Sequence, residues 1–272
     1  MNISVITVNY KNTKPTKELV NSIEKCNKND NIRIIIADND SSPQSQNELI
    51  KIKNSSYLDI DLFFFKENRF YWPAAKKVIF EKNKSIYNYS DWIIVCNNDI
   101  LFNDKYFFVN LEKFNGKKLN IIGPKILDQD NNNLNPLMIR RISNFELLFW
   151  NFYFKSYIFS KFLNIILLLK KIIIKKKLYK DNKEVYAVHG SAIIFSNFFF
   201  QRGGHLDDKF ELYCEELTTA EIARKIGLKT FYVPSLHLKH NEHSSTRRLK
   251  KKDIFNKAKK SHNYFVKKYL KK

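Results

Sequence analysis

Several short polar clusters in this chain stand where chemistry could be done. Asn9-Tyr10, Asp38-Asn39-Asp40-Ser41-Ser42 and Asn97-Asn98-Asp99 each follow an apolar run. Glu215-Glu216 open a helical stretch, and His240 comes shortly after Pro234. A single strand-end Asp is often only a turn or capping residue, because its side chain satisfies nearby backbone N–H groups. Three polar clusters converging on one sheet edge are harder to explain that way, since ligands of open α/β sheets sit beyond the carboxyl ends of the strands. Adjacent carboxylates at a helix start can simply favour the helix dipole. They also repel each other, so one of the pair holds its proton to higher pH, as suits a base. His240 is flanked by His237 and His243, and a lone histidine of this kind is usually structural.

The elements needed to place these residues are legible as alternating periodicities. Ile3 to Val8, Ile32 to Ala37, Ile60 to Phe65 and Trp92 to Cys96 read as strands, and Thr16 to Lys25, Gln44 to Lys53 and Pro73 to Lys82 as crossover helices. Leu19, Ile23, Val78 and Phe80 are expected to face the core. This is a nucleotide-binding type of half-sheet. Later come strand-like Val185 to His189 and Ala192 to Phe195, a Gly203-Gly204 turn, a helix over Glu216 to Ile226 stopped by Gly227, and a strand over Thr230 to Val233.

In this order, Ile6-Thr7-Val8-Asn9-Tyr10, Ile36-Ala37-Asp38-Asn39-Asp40-Ser41, Asn97-Asn98-Asp99 and Phe210-Glu211-Leu212-Tyr213-Cys214-Glu215-Glu216, with Pro234 and His240 downstream, resemble the family 2 glycosyltransferases of bacterial polysaccharide assembly, especially the rhamnosyltransferase-like members. The resemblance implies a GT-A fold: an α/β, Rossmann-like mixed sheet with helices on both faces, here with a helical insertion and a basic C-terminal helix. It implies an inverting transfer from a UDP-, dTDP- or GDP-linked sugar to a hydroxyl of a lipid-linked or oligosaccharide acceptor, as in O-antigen, capsule or lipopolysaccharide synthesis. Such a displacement needs a base for the acceptor and positive charge for the departing diphosphate.

By the same resemblance, Asp38 should contact the nucleotide base or ribose, beside Val8, Asn9, Tyr10 and Asn39. Asn97-Asn98-Asp99 stands in the place of the family's Asp-x-Asp, with Asp99 the ligand of a divalent metal, Mn2+ or Mg2+, and His240 completing the shell. Asn97 replaces the first carboxylate, so the site should depend on bound donor to hold metal. Glu216 is expected as general base with Glu215 positioning it, roles the two could exchange, and Gly190-Ser191 as the small-residue turn that the sugar approaches. His189 is read as local packing. One stretch departs from the pattern. In Asn68-Arg69-Phe70-Tyr71-Trp72-Pro73-Ala74-Ala75-Lys76, Asn68 and Ala74 fit, but Arg69, Trp72 and Lys76 do not. Arg69 or Lys76 could instead reach a diphosphate or an acidic sugar.

The net charge of +21 is lopsided. Residues 145 to 180 carry eight Lys against Glu146, and residues 246 to 272 carry twelve Lys/Arg against Asp253. The body holding the motifs is therefore close to balanced, and the basic segments read as attachments to an anionic membrane surface. The resulting division is a catalytic region 1–245 (nucleotide-sugar half 1–115, acceptor half 116–245 with the basic, aromatic insertion 145–180) followed by a basic amphipathic helix 246–272. No apolar run reaches the length of a membrane span, and the first ten residues read as a core strand, not a signal peptide. Cys26, Cys96 and Cys214 are far apart with no CxxC pair, which fits a reducing compartment. A cytoplasmic protein peripheral to the inner face of the membrane is the expectation. The charge alone would allow a nucleic-acid-binding protein, but no zinc-knuckle, helix-turn-helix or RNP-like motif accompanies it. A nucleotide-sugar nucleotidyltransferase would need a Gly-rich phosphate loop, and Asn9 to Thr13 has no glycine.

Overall fold

The computed structural model describes residues 1–26, 31–81, 86–173, 179–241 and 250–271. The first half alternates as the periodicity predicts: β1 (Asn2–Asn9), α1 (Lys14–Cys26), β2 (Asn31–Asn39), α2 (Pro43–Ser55), β3 (Asp59–Phe65), α3 (Tyr71–Ile79) and β4 (Trp92–Asn97). It continues through β5 (Ile100–Leu101), α4 (Phe107–Glu112), β6 (Ile121–Leu127), α5 (Asn144–Tyr153), α6 (Tyr157–Ile173), β7 (Lys183–Val185), β8 (Ala192–Ser196), α7 (Asn197–Gln201), α8 (Glu215–Lys225), β9 (Thr230–His240) and α9 (Lys251–Phe265).

The nine strands of the described residues join one mixed sheet in the order β3-β2-β1-β4-β8-β6-β9-β5, with β7 on β9. Strands β1 to β4 are mutually parallel, and β8 runs antiparallel between β4 and β6. Alternation of side chains sends Val5, Ile34, Ile36 and Ile94 to one face, beneath α1, α2 and α4, and Ile6, Ile35, Ile93 and Val95 to the other, beneath α3, α8 and α9. Leu19, Ile23 and Val78 are buried, whereas Phe80 caps the end of α3 and is only partly so. Local signals set several boundaries. Ser42 accepts a hydrogen bond from the Ser45 amide with Pro43 opening α2, and Ser143 and Glu146 form a reciprocal capping box at α5.

Some boundaries differ from the sequence reading. Helix α3 begins at Tyr71, so Pro73 sits in its first turn, where the missing N–H costs nothing; Lys82 lies outside the described residues. The strand read over Val185 to His189 ends at Val185. Beyond it, Tyr186 and Ala187 pair only with the short Met138–Ile139 segment, and the His189 amide donates to the Asn135 side chain at 2.7 Å. Strand β9 runs past Pro234 to His240, absorbing the proline at a register shift against β6.

The basic C-terminal stretch proves to be part of the core. Residues 246–249 lie outside the described ones. In α9 and the π-helical turn Val266–Leu270 that continues it, Phe265, Val266 and Tyr269 pack into the same cluster as α3 and α8. Along this stretch Phe265 and Tyr269 are buried and Ile254 and Ala258 are half-buried; Phe255, Ser261 and His262 complete the inward face.

Candidate active site

The parallel register brings the strand-end clusters together: Asn9 lies opposite Asp38, and Val8 opposite Asn97. Asp38 is fully buried. Its Oδ1 accepts hydrogen bonds from Asn9 Nδ2 at 2.7 Å and Ser41 Oγ at 2.6 Å, while its Oδ2 is buried with no partner. A lone carboxylate oxygen without a donor is costly in a finished protein interior, so it marks a place where a ligand's donor is wanted. From Asn9 the chain of bonds continues. Thr16 Oγ1 donates to Asn9 Oδ1 at 2.8 Å, and Asn98 Nδ2 donates to Thr16 Oγ1 at 3.0 Å. Asn9 thus acts through its fully buried side chain as a strut, and Asn98 is tied to the same network.

Asn39 and Asn68, expected beside a donor, both serve the loop after β3. Asn39 Nδ2 donates to the Phe70 carbonyl and its Oδ1 accepts from the Arg69 amide, while Asn68 Oδ1 accepts from the Phe70 amide. Phe70 is held there at φ 60°, ψ −176°, a region of backbone space that side chains disfavour. The two odd cations of this stretch are paired: Arg69 with Glu67 at 2.5 Å, and Lys76 with Asp208 at 3.0 Å. A diphosphate or an acidic sugar reaching either cation would have to displace that carboxylate. Val8, Tyr10 and Asn97 remain partly exposed at the strand ends.

Asp99 and His240 meet because β5 pairs with the last residue of β9, Ile100 opposite His240. His240 Nε2 and Asp99 Oδ1 are 2.9 Å apart, both side chains nearly buried. Among the described residues His240 Nδ1 is buried without a hydrogen-bond partner. A ring nitrogen and a carboxylate oxygen side by side suit a divalent cation that takes its remaining ligands from phosphate and water. Among the described residues no group of three or more His, Cys, Asp or Glu is arranged to hold a metal. Two protein donors are therefore the complement a cation would find. His237 lies in β9 but has no part in this contact, and His243 lies outside the described residues. His189 is not merely packing: its Nδ1 lies 2.8 Å from Ser191 Oγ, and its ring sits edge-on to His240 at 6.4 Å.

Gly190 connects this corner to the glutamates. Its amide donates to Glu216 Oε1 at 3.0 Å, and its carbonyl accepts from the Tyr71 hydroxyl at 3.1 Å. A Cβ here would fall 2.7 Å from Glu216 Oε1 and 2.8 Å from Glu215 Cγ, so only glycine permits the approach. Burial raises the pKa of Glu215 well above the carboxylate range, and the charge of Glu216 adds to it; burial also raises Glu216, opposed by the Gly190 N–H. The pair therefore holds a shared proton more tightly than free carboxylates do. Tyr71 has its phenol pushed well up by burial and by the charges of Cys96, Glu215, Glu216 and Asp99. The turn delivering the glutamates is strained: Tyr213 and Cys214 both have positive φ, 62° and 76°. Tyr213 is itself raised by burial, by both glutamates and by Tyr153 at the end of α5.

The family model of glycosyl transferase family 2 matches residues 4–196, most of the chain. The chain belongs to glycosyl transferase family 2. Comparison with the curated proteins finds no match. Among solved structures, its fold is similar to TarS of S. aureus (TM-score 0.57, 13% identity, 89% of this chain and 37% of that one). It is also similar to the mannosyltransferase PcManGT from Pyrobaculum calidifontis, crystallised with GDP-Man and Mn2+ (TM-score 0.54, 11% identity, 90% and 58%). GalNAc-T7, with UDP, GalNAc and Mn2+, is a third (TM-score 0.60, 12% identity, 99% and 50%). This family 2 chain thus spans between 37 and 58% of the length of those three. At such identities the likeness establishes the GT-A fold, as the sequence motifs led one to expect.

Two supports of the family 2 site had no sequence signal of their own. Glu221 is fully buried on α8 and is gripped by Arg141 at 2.6 Å, Arg224 at 3.1 Å and Tyr186 at 2.9 Å. The grip fixes the helix that begins with Glu215. Asp207 accepts from the Tyr264 and Tyr269 hydroxyls at 2.9 and 2.5 Å and from Lys268 at 3.0 Å, tying the turn before the glutamates to α9.

Proposed function

We propose that this chain is an inverting glycosyltransferase that moves a sugar from a UDP-, dTDP- or GDP-linked donor to a hydroxyl of a lipid-linked or oligosaccharide acceptor in bacterial surface-glycan synthesis. What supports the reading is a set of contacts at the ends of the parallel strands: Asp38, Asn9, Thr16 and Asn98 are joined by hydrogen bonds, Asp99 meets His240, and the Gly190 amide holds Glu216. Solved structures of the same fold, TarS with UDP or UDP-GlcNAc and PcManGT with GDP-Man, support a nucleotide sugar as donor.

In this reading Asp38 Oδ2 accepts from the nucleotide's base or ribose, with Val8, Tyr10 and Asn97 lining the same strand ends. Glu216 removes the acceptor hydroxyl proton. The oxygen then forms a bond to the anomeric carbon as that carbon's bond to the diphosphate oxygen breaks, which inverts the centre. Glu215 positions its neighbour, and the Gly190 N–H keeps the Glu216 carboxylate aimed at the cleft. Asp99 and His240 would hold Mn2+ or Mg2+, whose chemistry there is neutralising charge on the departing diphosphate. Ser191, hydrogen-bonded to His189, lines the turn that the sugar approaches.

A screen of nucleoside-diphosphate sugars with Mn2+ present tests this. The expected outcome is saturable thermal stabilisation by one donor class and slow hydrolysis of that donor. Failure of every nucleotide and nucleotide sugar to bind would remove the reading.

A further inference from the structure

Large hydrophobic side chains left exposed are concentrated in one place among the described residues. Phe145, Leu148 and Phe152 on α5 and Ile158, Phe162 and Ile165 on α6 are 44 to 80% exposed, and α5 has no fully buried residue. Soluble monomers seldom leave so much apolar surface in one region unless something covers it. The hairpin is also one-sided in charge. From Asn144 to Ile173 the sequence holds Lys155, Lys161, Lys170 and Lys171 against Glu146, which is paired with Arg140, and Lys155 and Lys161 are exposed among the apolar residues.

These two properties together select the partner. An apolar protein pocket would leave the lysines without counter-charge, and water would leave the phenylalanines and isoleucines without cover. An anionic bilayer surface satisfies both, taking aromatic and aliphatic side chains at the acyl boundary and ammonium groups among the headgroups. None of the described helices is long and apolar enough to cross a membrane, so the hairpin fits a helix pair lying in the interface.

We propose that the α5–α6 hairpin is the surface by which this chain docks on an anionic lipid bilayer. Helix α9 braces it from behind. Phe255 packs against Tyr153, Phe154 and Tyr157, His262 pairs with Asn151 at 2.8 Å, and Lys259 donates to the Lys155 carbonyl. Burial pushes His262 down to about 4, so this contact stays uncharged at neutral pH. Docking by the hairpin also brings the turn before the glutamates toward the bilayer, because the same α9 holds that turn through the Lys257–Glu211 pair and Ser261 Oγ, which donates to the Leu212 carbonyl. An acceptor carried on a lipid would then reach the cleft without leaving the membrane, a consequence that rests on the transferase reading; the docking surface does not.

The test is flotation of the full chain with vesicles of phosphatidylcholine alone or mixed with phosphatidylglycerol, beside the triple variant Phe145→Ser/Ile158→Ser/Phe162→Ser and the double variant Lys155→Gln/Lys161→Gln. The parent should float with anionic vesicles and release as salt rises. The triple variant should lose at least about tenfold in partitioning, and the double variant about fivefold per lysine removed. The substituted residues are exposed, so melting temperature and nucleotide binding should match the parent, and measuring both separates a failed docking surface from a failed transferase reading. A parent that ignores anionic vesicles overturns the proposal. So does a triple variant that floats like the parent, or a parent dimer that the triple variant dissolves without any lipid binding.

Discussion

The two walls of the cleft are held by opposite means. On the strand-end side, Asn98, Thr16, Asn9, Asp38 and Ser41 form a continuous run of buried hydrogen bonds between neighbouring parallel strands and the helix after β1. On the other side, Glu215 and Glu216 are desolvated carboxylates following two residues of positive φ, kept in place by Gly190 and by long-range grips on Glu221 and Asp207. The first wall also has positive φ, at Lys11 and Asp40, but carries no charge repulsion and leaves one oxygen wanting. The second stores charge repulsion and backbone strain, which is characteristic of groups that must exchange protons.

If that contrast is right, substitutions on the two walls should fail differently. The largest effect is expected for Glu216→Gln. Losing the base should lower kcat by about 10²–10⁴-fold with donor affinity nearly unchanged, read from steady-state rates and donor titration. Asp38→Ala should do the reverse. It removes the buried acceptor shared by Asn9 Nδ2 and Ser41 Oγ, at a cost of about 1–3 kcal/mol in denaturant unfolding, and it weakens nucleotide binding.

Glu215→Gln should raise stability. Desolvation and the Glu216 charge raise this pKa, so the folded state binds the proton more tightly than the unfolded chain, and that advantage is present at low pH and lost as pH rises through the folded value. At neutral pH the charged pair therefore costs stability, and the neutral amide should lift the melting temperature by about 2–4 °C per kcal/mol recovered. The acid limb of the kcat/KM profile should lie above the ordinary carboxylate range in the parent and stay there in this variant, because burial and not the Glu215 charge raises Glu216. The smallest effect is expected on the brace. Lys257 pairs with Glu211 and lies over the Phe70 ring at 4.7 Å, touching the loops on both sides. Lys257→Ala should cost about three- to tenfold in kcat through misplacement, with Lys257→Arg restoring most of it and melting little altered.

The same contrast explains what the sequence made legible. The strand-end wall is local: an apolar run followed by Asn9, Asp38 or Asn97 announces its own position, and parallel pairing brings the ends together. Glu215 and Glu216 could be named from their motif. Their environment could not, because it depends on Gly190, Tyr71 and Asp207, brought in from distant segments with no periodicity to mark them. The partners of Arg69 and Lys76 were legible only in part for a related reason: Glu67 is close in sequence, but Asp208 becomes a neighbour only when the chain folds. The C-terminal stretch shows the limit of net charge as a guide. Its lysines drew attention, while Phe265, Val266 and Tyr269, spaced to face inward, decide where it goes.

Helix α9 has a consequence for how the protein is made. During synthesis the strand-end wall can assemble as soon as β4 has emerged, since its partners all precede Asn98 or include it. The turn carrying the glutamates has to wait for Ser261, Tyr264, Lys268 and Tyr269 to leave the ribosome before it is fastened. A nascent chain would thus have its strand-end wall complete while the glutamate turn is still unfastened.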